Sequence, residues 1–179
     1  MANKEGSFKL VGIIMGISLL IAALWDQLPW LSGSIHAILD PTAGFLLDLE
    51  LTLGMIAIVL FISVGTTIIQ KYATDQKTLK ELKKEQKILQ KQMKEFKDDP
   101  QKVMELQKKQ FEFIPKTMKL SMRAIAYTGI PFILFFRWFS DYFVSAGNPV
   151  FLGFMGWFIF YLLTTIIFSS ILKKWMDVV

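Results

Sequence analysis

Hydrophobic and polar positions follow two different patterns along this chain. Four stretches carry no charged residue and are mostly apolar: residues 10–25, 51–69, 124–136 and 148–172. A helix that spans a membrane needs about 20 mostly apolar residues, because the hydrocarbon core is about 30 Å thick and a helix rises about 1.5 Å per residue. The third stretch reaches Phe143 if Arg137 and Asp141 are tolerated within it. This pattern predicts an all-α membrane protein with four spanning helices.

The first apolar stretch has two interpretations. A short apolar run behind the segment "MANKEGSFK" is also typical of a cleaved signal peptide. However, the segment "AALWDQLP" has bulky residues where a cleavage site requires small ones. We therefore expect an anchor span, with a signal peptide as the alternative.

The charged middle of the chain has the second pattern, in which apolar and glutamine residues recur at intervals of three and four, as in a coiled coil. Asp99 followed by Pro100 predicts an N-cap and the start of a new helix, so two arms would form an antiparallel hairpin with Asp98, Asp99 and Pro100 at its tip. A parallel dimer is the alternative, although Pro100 would interrupt its helices. Pro115 is expected to kink the second arm. The predicted seam comprises Leu79, Leu82, Gln86, Leu89, Met93, Phe96, Val103, Leu106, Gln110, Phe113, Thr117 and Leu120.

The charges differ sharply between the connecting segments. Residues 26–50 contain four acidic residues and no Lys or Arg, whereas residues 70–123 contain 15 of the 20 basic residues against eight acidic ones. Because cytoplasmic segments carry the excess of Lys and Arg, the hairpin and both termini are expected in the cytoplasm of the cell. The predicted organisation is an anchor span at 1–25, an extracytoplasmic loop with an interfacial segment at 26–50, core spans at 51–70 and 121–143, the hairpin at 71–120, an outside turn at 144–149, and a core span with a basic tail at 150–179.

Small polar side chains lie in the spans on the predicted cytoplasmic side. Such hydroxyl groups bond carbonyl groups one turn back and let helices pack closely. Three spans carry them at a similar depth, so a wet cavity open to the cytoplasm is the other interpretation. The candidate polar groove comprises Ser63, Thr66, Thr67, Gln70, Thr128, Arg137, Thr164, Thr165 and Ser169.

Arg137 also has two interpretations, since a charge within a span is costly. It lies in the outer part of its span, four residues before Asp141, so the two side chains can pair while Arg137 reaches towards the headgroups. We expect this anchoring pair, with a charge inside the groove as the alternative.

The residue types disfavour catalysis. The chain has no cysteine, and its single histidine, His36, lies in the predicted extracytoplasmic loop. No acidic pair within a span has the spacing of a catalytic dyad or metal site, and no glycine-rich phosphate loop is present. We therefore expect no enzymatic activity, no cofactor and no metal.

A span, a basic hairpin, a span, a tight turn and a further span follow one another in this chain, with "TTIIQKYATDQKTLKELKKEQK" at 66–87, "ELQKKQFEFIPKTMKLSM" at 105–122 and "GIPFILFFRWF" at 129–139. This order and these residues resemble the archaeal branch of the YidC/Oxa/Alb insertase superfamily. The insertase subunit of the endoplasmic reticulum membrane complex is a more distant relative. The resemblance covers about residues 45–175, so residues 1–25 would be an addition to a three-span core. Many relatives have an arginine in the span before the coiled coil, whereas this span ends "SVGTTIIQ".

The resemblance implies a polar groove that receives the hydrophilic flank of a nascent membrane protein. The coiled coil would contact the ribosome or the substrate. Its basic surface suits a polyanion, such as ribosomal RNA or anionic lipid headgroups, or is simply solvated. The expected partners are nascent membrane proteins, the ribosome, membrane lipids and a partner subunit, but not DNA. The alternatives are a membrane-anchored coiled-coil tether or scaffold without insertase activity and, third, a channel subunit.

Overall fold

The protein, described by a computed structural model over residues 8–178 without the side chain of Arg123, is almost entirely helical. Residues 1–7 of the predicted anchor, and Val179, lie outside the described residues. The helices are α1 Phe8–Ala23, α2 Pro29–Leu39, α3 Phe45–Leu49, α4 Leu51–Ala73, α5 Gln76–Glu95, α6 Pro100–Ser145 and α7 Trp157–Trp175. A 3-10 turn at Trp25–Gln27 and a π-helical turn at Asp40–Gly44 flank α2, and the short strands β1 Val150–Phe151 and β2 Met155–Gly156 precede α7.

Among residues 8–178, α4 and α7 are long and apolar enough to cross a membrane, and α6 adds a third span if its bent halves are counted together. α1 is a shorter, mostly apolar helix of 16 residues, about 24 Å long at 1.5 Å per residue. α6 bends by 62° between residues 100–122 and 124–145. The bend therefore lies after the expected kink at Pro115, next to Met122, which packs against Val11 of α1.

α1 runs parallel to the second half of α6. Val11, near the start of α1, clusters with Met122 and Ala126 of α6. One turn further along, the position that a Cβ atom would take on Gly129 lies 3.3 Å from Cγ2 of Ile14. The absence of a side chain at Gly129 thus lets the two helices approach closely.

The two ends of the helix bundle differ, and we name them by what they carry. The turn end contains residues 25–50 and the connection between α6 and α7. The hairpin end contains α5, the start of α6 and the adjoining ends of α4 and α7. The main core lies near the turn end, where Trp138, Phe139, Phe143 and Phe151 are at most 1% exposed. The ring centroids of Phe143 and Phe151 lie 5.6 Å apart, so these aromatic side chains connect α6 to β1.

α7 begins at Trp157 rather than at the predicted start of the last span, residue 150. The intervening residues form an antiparallel β-hairpin in which Val150 pairs with Gly156 and Phe151 with Met155. Leu152 and Gly153 both have positive φ angles, 52° and 81°, and an α-helix cannot contain this conformation. The local turn therefore takes precedence over the apolar composition that suggested a helix.

The helical hairpin consists of α5 and the first part of α6, connected by residues 96–99. Asp75 caps α5 by accepting hydrogen bonds from the backbone N–H groups of Lys77 and Thr78. Asp99 caps α6 through the N–H of Lys102, at 3.1 Å, with Pro100 in the first turn. The start of the second arm thus agrees with the Asp-Pro signal in the sequence.

Candidate functional site

A cleft with a volume of about 420 Å³ separates α4 from the second half of α6. Two exposed phenylalanines, Phe61 of α4 and Phe132 of α6, border it. No charged side chain lines this cleft among the described residues. Its lining consists of Phe61, Ile62, Gly65, Thr66, Ile69, Gln70, Ile125, Thr128, Gly129, Pro131, Phe132, Phe135 and Tyr161.

The polar residues of the cleft lie together at the hairpin end. Thr66 and Gln70 are one turn apart on α4, and Thr128 faces them from α6. The hydroxyl of Thr66 donates to the carbonyl oxygen of Ser63 at 3.1 Å, and that of Thr128 donates to the carbonyl oxygen of Ala124 at 2.9 Å. Each hydroxyl therefore satisfies its own donor within its helix and keeps acceptor capacity on the cleft side.

A smaller cavity of about 140 Å³ continues the polar end of the cleft towards the hairpin. Gln70 and Thr128 line both spaces, and Ser121 and Lys173 join them here. Lys173 is the one charged side chain lining this cavity among the residues that the structure describes. The space between α4 and α6 is thus apolar towards the turn end and polar, with a nearby cation, towards the hairpin.

The remaining predicted groove residues lie elsewhere. Ser63 and Thr67 are at most 1% exposed, on the packed side of α4, and the Thr67 hydroxyl donates to the Ser63 carbonyl oxygen at 2.6 Å. The residues on α7 are half-buried and do not line the cleft: Thr164, Thr165 and Ser169. Of the nine predicted groove residues, the structure therefore brings Thr66, Gln70 and Thr128 together in the cleft.

Arg137 lies outside the cleft, in a polar network at the turn end. Its Nη2 atom is 3.4 Å from Oδ1 of Asp26 and 4.0 Å from Oδ1 of Asp141, and its guanidinium lies 5.7 Å from the Trp25 ring centroid. Trp25 Nε1 donates to Oδ2 of Asp141 at 2.6 Å. Arg137 is therefore shared between a local and a distant acid.

His36 extends this network to α2. Its Nε2 atom lies 3.3 Å from Asp141, and its Nδ1 atom lies 3.0 Å from Asp40. Trp138 of α6 donates from Nε1 to Asp40 at 2.7 Å. These contacts hold residues 25–40 against α6 through side chains that lie about a hundred positions apart in the chain.

The sequence reasoning did not include the apolar walls of the cleft or the partners of Arg137 before residue 50. Phe132 and Phe135 belong to a continuous run of apolar residues, so the sequence does not distinguish the wall of the cleft from the lipid-facing surface. The pairing of Arg137 with Asp26 could have been predicted from the charges. Residues 26–50 contain acidic residues without any Lys or Arg, and Arg137 is the cation predicted at the same end of the bundle.

The predicted seam residues occupy the shielded side of both arms. Leu79 and Leu106 are buried, Phe96 at the connection is exposed, and the other members are half-buried. Lys102 lies 5.4 Å from the Phe96 ring centroid. A space of about 380 Å³ separates the arms near Leu89 and Phe113, so contact along the seam is incomplete.

Two ion pairs lie on the hairpin surface. Lys109, at 3.0 Å, holds the pKa of the Glu105 carboxyl below its usual value by hydrogen bonding and charge. Lys80 of α5 pairs with Asp177 beyond the end of α7, and this contact lowers the pKa of Asp177. The second pair connects the base of the hairpin to the C-terminal tail.

Comparison with protein families finds that residues 37–150 match the family described as integral membrane protein, EMC3/TMCO1-like. Comparison with curated proteins and with solved structures found no match. The matched family is related to the Oxa1/YidC/Alb3 insertases, so the expected superfamily is confirmed at this level. The expected all-α membrane class is confirmed as well.

Proposed function

We propose that this chain, which belongs to the EMC3/TMCO1-like family of integral membrane proteins, acts in membrane-protein insertion by receiving the hydrophilic flank of a nascent protein between α4 and α6. The observation that carries the proposal is the uncharged cleft with its polar end at Thr66, Gln70 and Thr128. We also propose that the chain belongs to the archaeal branch of the YidC/Oxa/Alb superfamily.

The chemistry of the cleft suits a substrate with one polar and one apolar part. A polar chain crossing hydrocarbon loses its hydrogen bonds to water, which costs several kcal/mol per unsatisfied group. Oxygen atoms of Thr66, Thr128 and Gln70 offer replacement acceptors part of the way across. The apolar walls near Phe61 and Phe132 suit the hydrophobic segment that follows.

The absence of charge among the described lining residues favours a passage that does not select the sign of the substrate's charge. A fixed cation would hold an acidic flank and release it slowly, because charges attract strongly where the dielectric constant is low. Lys173 lines only the smaller cavity on the hairpin side of the cleft. We propose that it meets the flank at entry.

No catalytic step or cofactor is part of this proposal. Transfer of the substrate's apolar segment from water into the membrane stabilises it by about 25 cal/mol per Å² of apolar surface, which suffices to drive insertion. Among the described residues, no group of three His, Asp or Glu side chains is arranged to hold a metal.

The orientation follows from the charges. We propose that the hairpin and both termini are cytoplasmic, and that α1 is an added span before the three-span core formed by α4, the second half of α6 and α7. The lysine-rich arms would then face the ribosome, whose RNA attracts them in a salt-dependent manner. A partner subunit would join the core through the membrane.

Photocrosslinking from the cleft to ribosome-bound nascent chains tests the proposal. A benzoyl-phenylalanine in place of Phe132 reports on the cleft, and one in place of Phe158 is the matched control. The two residues are 47% and 41% exposed, but Phe158 lies on α7 outside the cleft. We expect strong crosslinks to a nascent membrane protein from position 132 and weak ones from position 158.

Equal crosslinking from both positions would mean that substrates meet only the lipid-facing surface, and the proposal would fail. No crosslinks from either position, with ribosome binding intact, would support the tether or scaffold instead. Ion flux through vesicles without any nascent-chain crosslink would support the channel subunit.

A triple variant tests the polar end of the cleft. Replacing Thr66 and Thr128 with valine and Gln70 with leucine removes the acceptors, so insertion of a substrate with a long hydrophilic flank should fall several-fold. A substrate without such a flank should insert normally. The matched control replaces three polar residues of α7 outside the cleft: Thr165→Val, Ser169→Ala and Ser170→Ala.

A further inference from the structure

The β-hairpin before α7 has one buried and one exposed side. Phe151 is 0% exposed, and its ring centroid lies 4.6 Å from that of Phe160 on α7. Its neighbours Val150 and Leu152 are 60% and 61% exposed, and Phe154 is 76% exposed. Phe151 therefore fixes the β-hairpin to the bundle, while three apolar side chains of the β-hairpin point away from the bundle.

Leu152 stands at a position that usually carries a different residue type. The N–H of Phe154 donates to the carbonyl oxygen of Phe151 at 3.2 Å, so Leu152 and Gly153 are the two central residues of the turn. Both have positive φ, at 52° and 81°. Turns with this geometry favour Asn, Asp or Gly, because a larger side chain crowds its own backbone. Leu152 thus accepts backbone strain although it is mostly exposed.

We propose that the tip formed by Val150, Leu152 and Phe154 inserts into the lipid interface beside the start of α7. Lipid around this exposed side chain would explain why the position carries an apolar residue rather than Asn, Asp or Gly. The tip leads within a few residues into α7, a helix long and apolar enough to span, so it lies at the level where the membrane surface begins. Trp157 at the start of α7 is the residue type enriched at that level.

Lipid is favoured over a protein partner by area and by charge. A stable protein interface buries about 800 Å² on each partner, far more than three side chains supply. Residues 142–172 contain no Asp, Glu, Lys or Arg that could orient a partner through ion pairs. This inference does not depend on the function proposed for the cleft.

Single-cysteine labelling tests this inference directly, because the chain has no cysteine of its own. The full-length variants Phe154→Cys and Leu152→Cys are labelled with nitrobenzoxadiazole and reconstituted into phosphatidylcholine vesicles. Ala146→Cys is the matched control, since Ala146 is exposed at the same end of the bundle but lies before the β-hairpin. Quenching by iodide on both sides of the vesicles measures water access, and quenching by spin-labelled lipid measures contact with lipid.

We expect iodide to quench the labels at positions 152 and 154 several-fold less than the label at position 146, and spin-labelled lipid to quench them more. Iodide quenching equal to that at position 146 would overturn the proposal. The protection could also disappear when the protein is diluted in lipid, and two copies of the Phe154→Cys variant could form a disulfide crosslink. Together these results would assign the tip to contact with a second copy and would also overturn the proposal.

Discussion

The turn end and the hairpin end of this protein are built from similar helices but packed in different ways. At the turn end, aromatic side chains fill the space between elements, and polar side chains such as Trp25 and Asp141 bond across long stretches of chain. At the hairpin end, α4 and α6 leave a cleft, and the hydroxyls of Thr66 and Thr128 bond only their own helices. The turn end therefore holds the helices together, whereas the hairpin end leaves a space between them.

Removing one phenylalanine from the core at the turn end and one from the wall of the cleft should give the largest contrast. Phe143 is 0% exposed and stacks with Phe139 and Trp157, whereas Phe132 borders the cleft and is 47% exposed. Phe143→Ala should lower the free energy of unfolding by about 3 kcal/mol, which is the lower end of the range for a buried phenylalanine. The low end applies because the helices of a membrane protein stay in an apolar environment when they separate. Phe132→Ala should cost much less.

Unfolding by sodium dodecyl sulfate in mixed micelles measures both changes. Nascent-chain crosslinking should respond in the opposite order, with the larger loss per folded molecule in Phe132→Ala. Equal losses of stability would show that the two ends are packed alike.

Gly54→Ala should disturb the turn end through the backbone. A Cβ atom on Gly54 would lie 2.2 Å from the carbonyl oxygen of Leu46, so α3 and α4 would have to move apart. We expect a loss of about 2 kcal/mol, within the range for overpacking. Gly65→Ala, in the same helix, is the control, because nothing lies within 4 Å of its added Cβ and alanine favours a helix by up to about 1 kcal/mol. Because helix propensity alone would stabilise both variants, a similar loss in both would show that the contact with Leu46 is not its cause.

Local signals in the sequence predicted most of the helices. Regular spacing and the Asp99-Pro100 pair marked the two arms, because capping and heptad spacing act within a few residues. The β-hairpin before α7 was missed, since Val150, Leu152 and Phe154 are as apolar as the span that follows. The bend of α6 was expected at Pro115, but it lies between residues 122 and 124, so the proline alone does not determine its position.

The candidate site was less accessible to sequence reasoning than the fold. The hydroxyl side chains of a single helix point in several directions. Only the packing of the helices decides that Thr66 borders the cleft while Thr67, the next residue, is buried. Arg137 was expected to pair with Asp141, four residues away. The structure adds Asp26 at 3.4 Å, a contact that no local spacing rule can provide.

The network around Arg137 separates the contributions of its two acids. Asp141 is 32% exposed and also accepts from Trp25, whereas Asp26 is 88% exposed. Asp141→Asn keeps an oxygen for Trp25 but removes the charge, and should lower stability by about 1 kcal/mol, since exposed and half-exposed pairs contribute little. Asp26→Asn should change stability less, although its carboxylate is nearer to Arg137, because water screens it.

The same detergent titration compares these two variants with the unmodified protein. A larger loss in Asp26→Asn would mean that the distant contact, not the local one, holds Arg137. Arg137→Leu should reduce stability without reducing crosslinking per folded molecule, and a selective loss of crosslinking would place its charge in the insertion pathway.

The smallest effect is expected at the hairpin end, where Lys80 and Asp177 connect α5 to the tail. Lys80 lowers the pKa of Asp177, so the pair is fully formed above the ordinary pKa of an aspartate, 3.8, and is lost as the pH falls through the lower value in the folded protein. Spin labels attached to the double variant Lys84→Cys and Lys174→Cys, which replaces two exposed lysines, should show a broader distance distribution at a pH well below 3.8 than at neutral pH. Asp177→Asn should give the broad distribution at neutral pH as well. If its distribution stays narrow, then packing of the buried Val178, rather than the ion pair, holds the tail, and the hairpin end would be more like the turn end than its open cleft suggests.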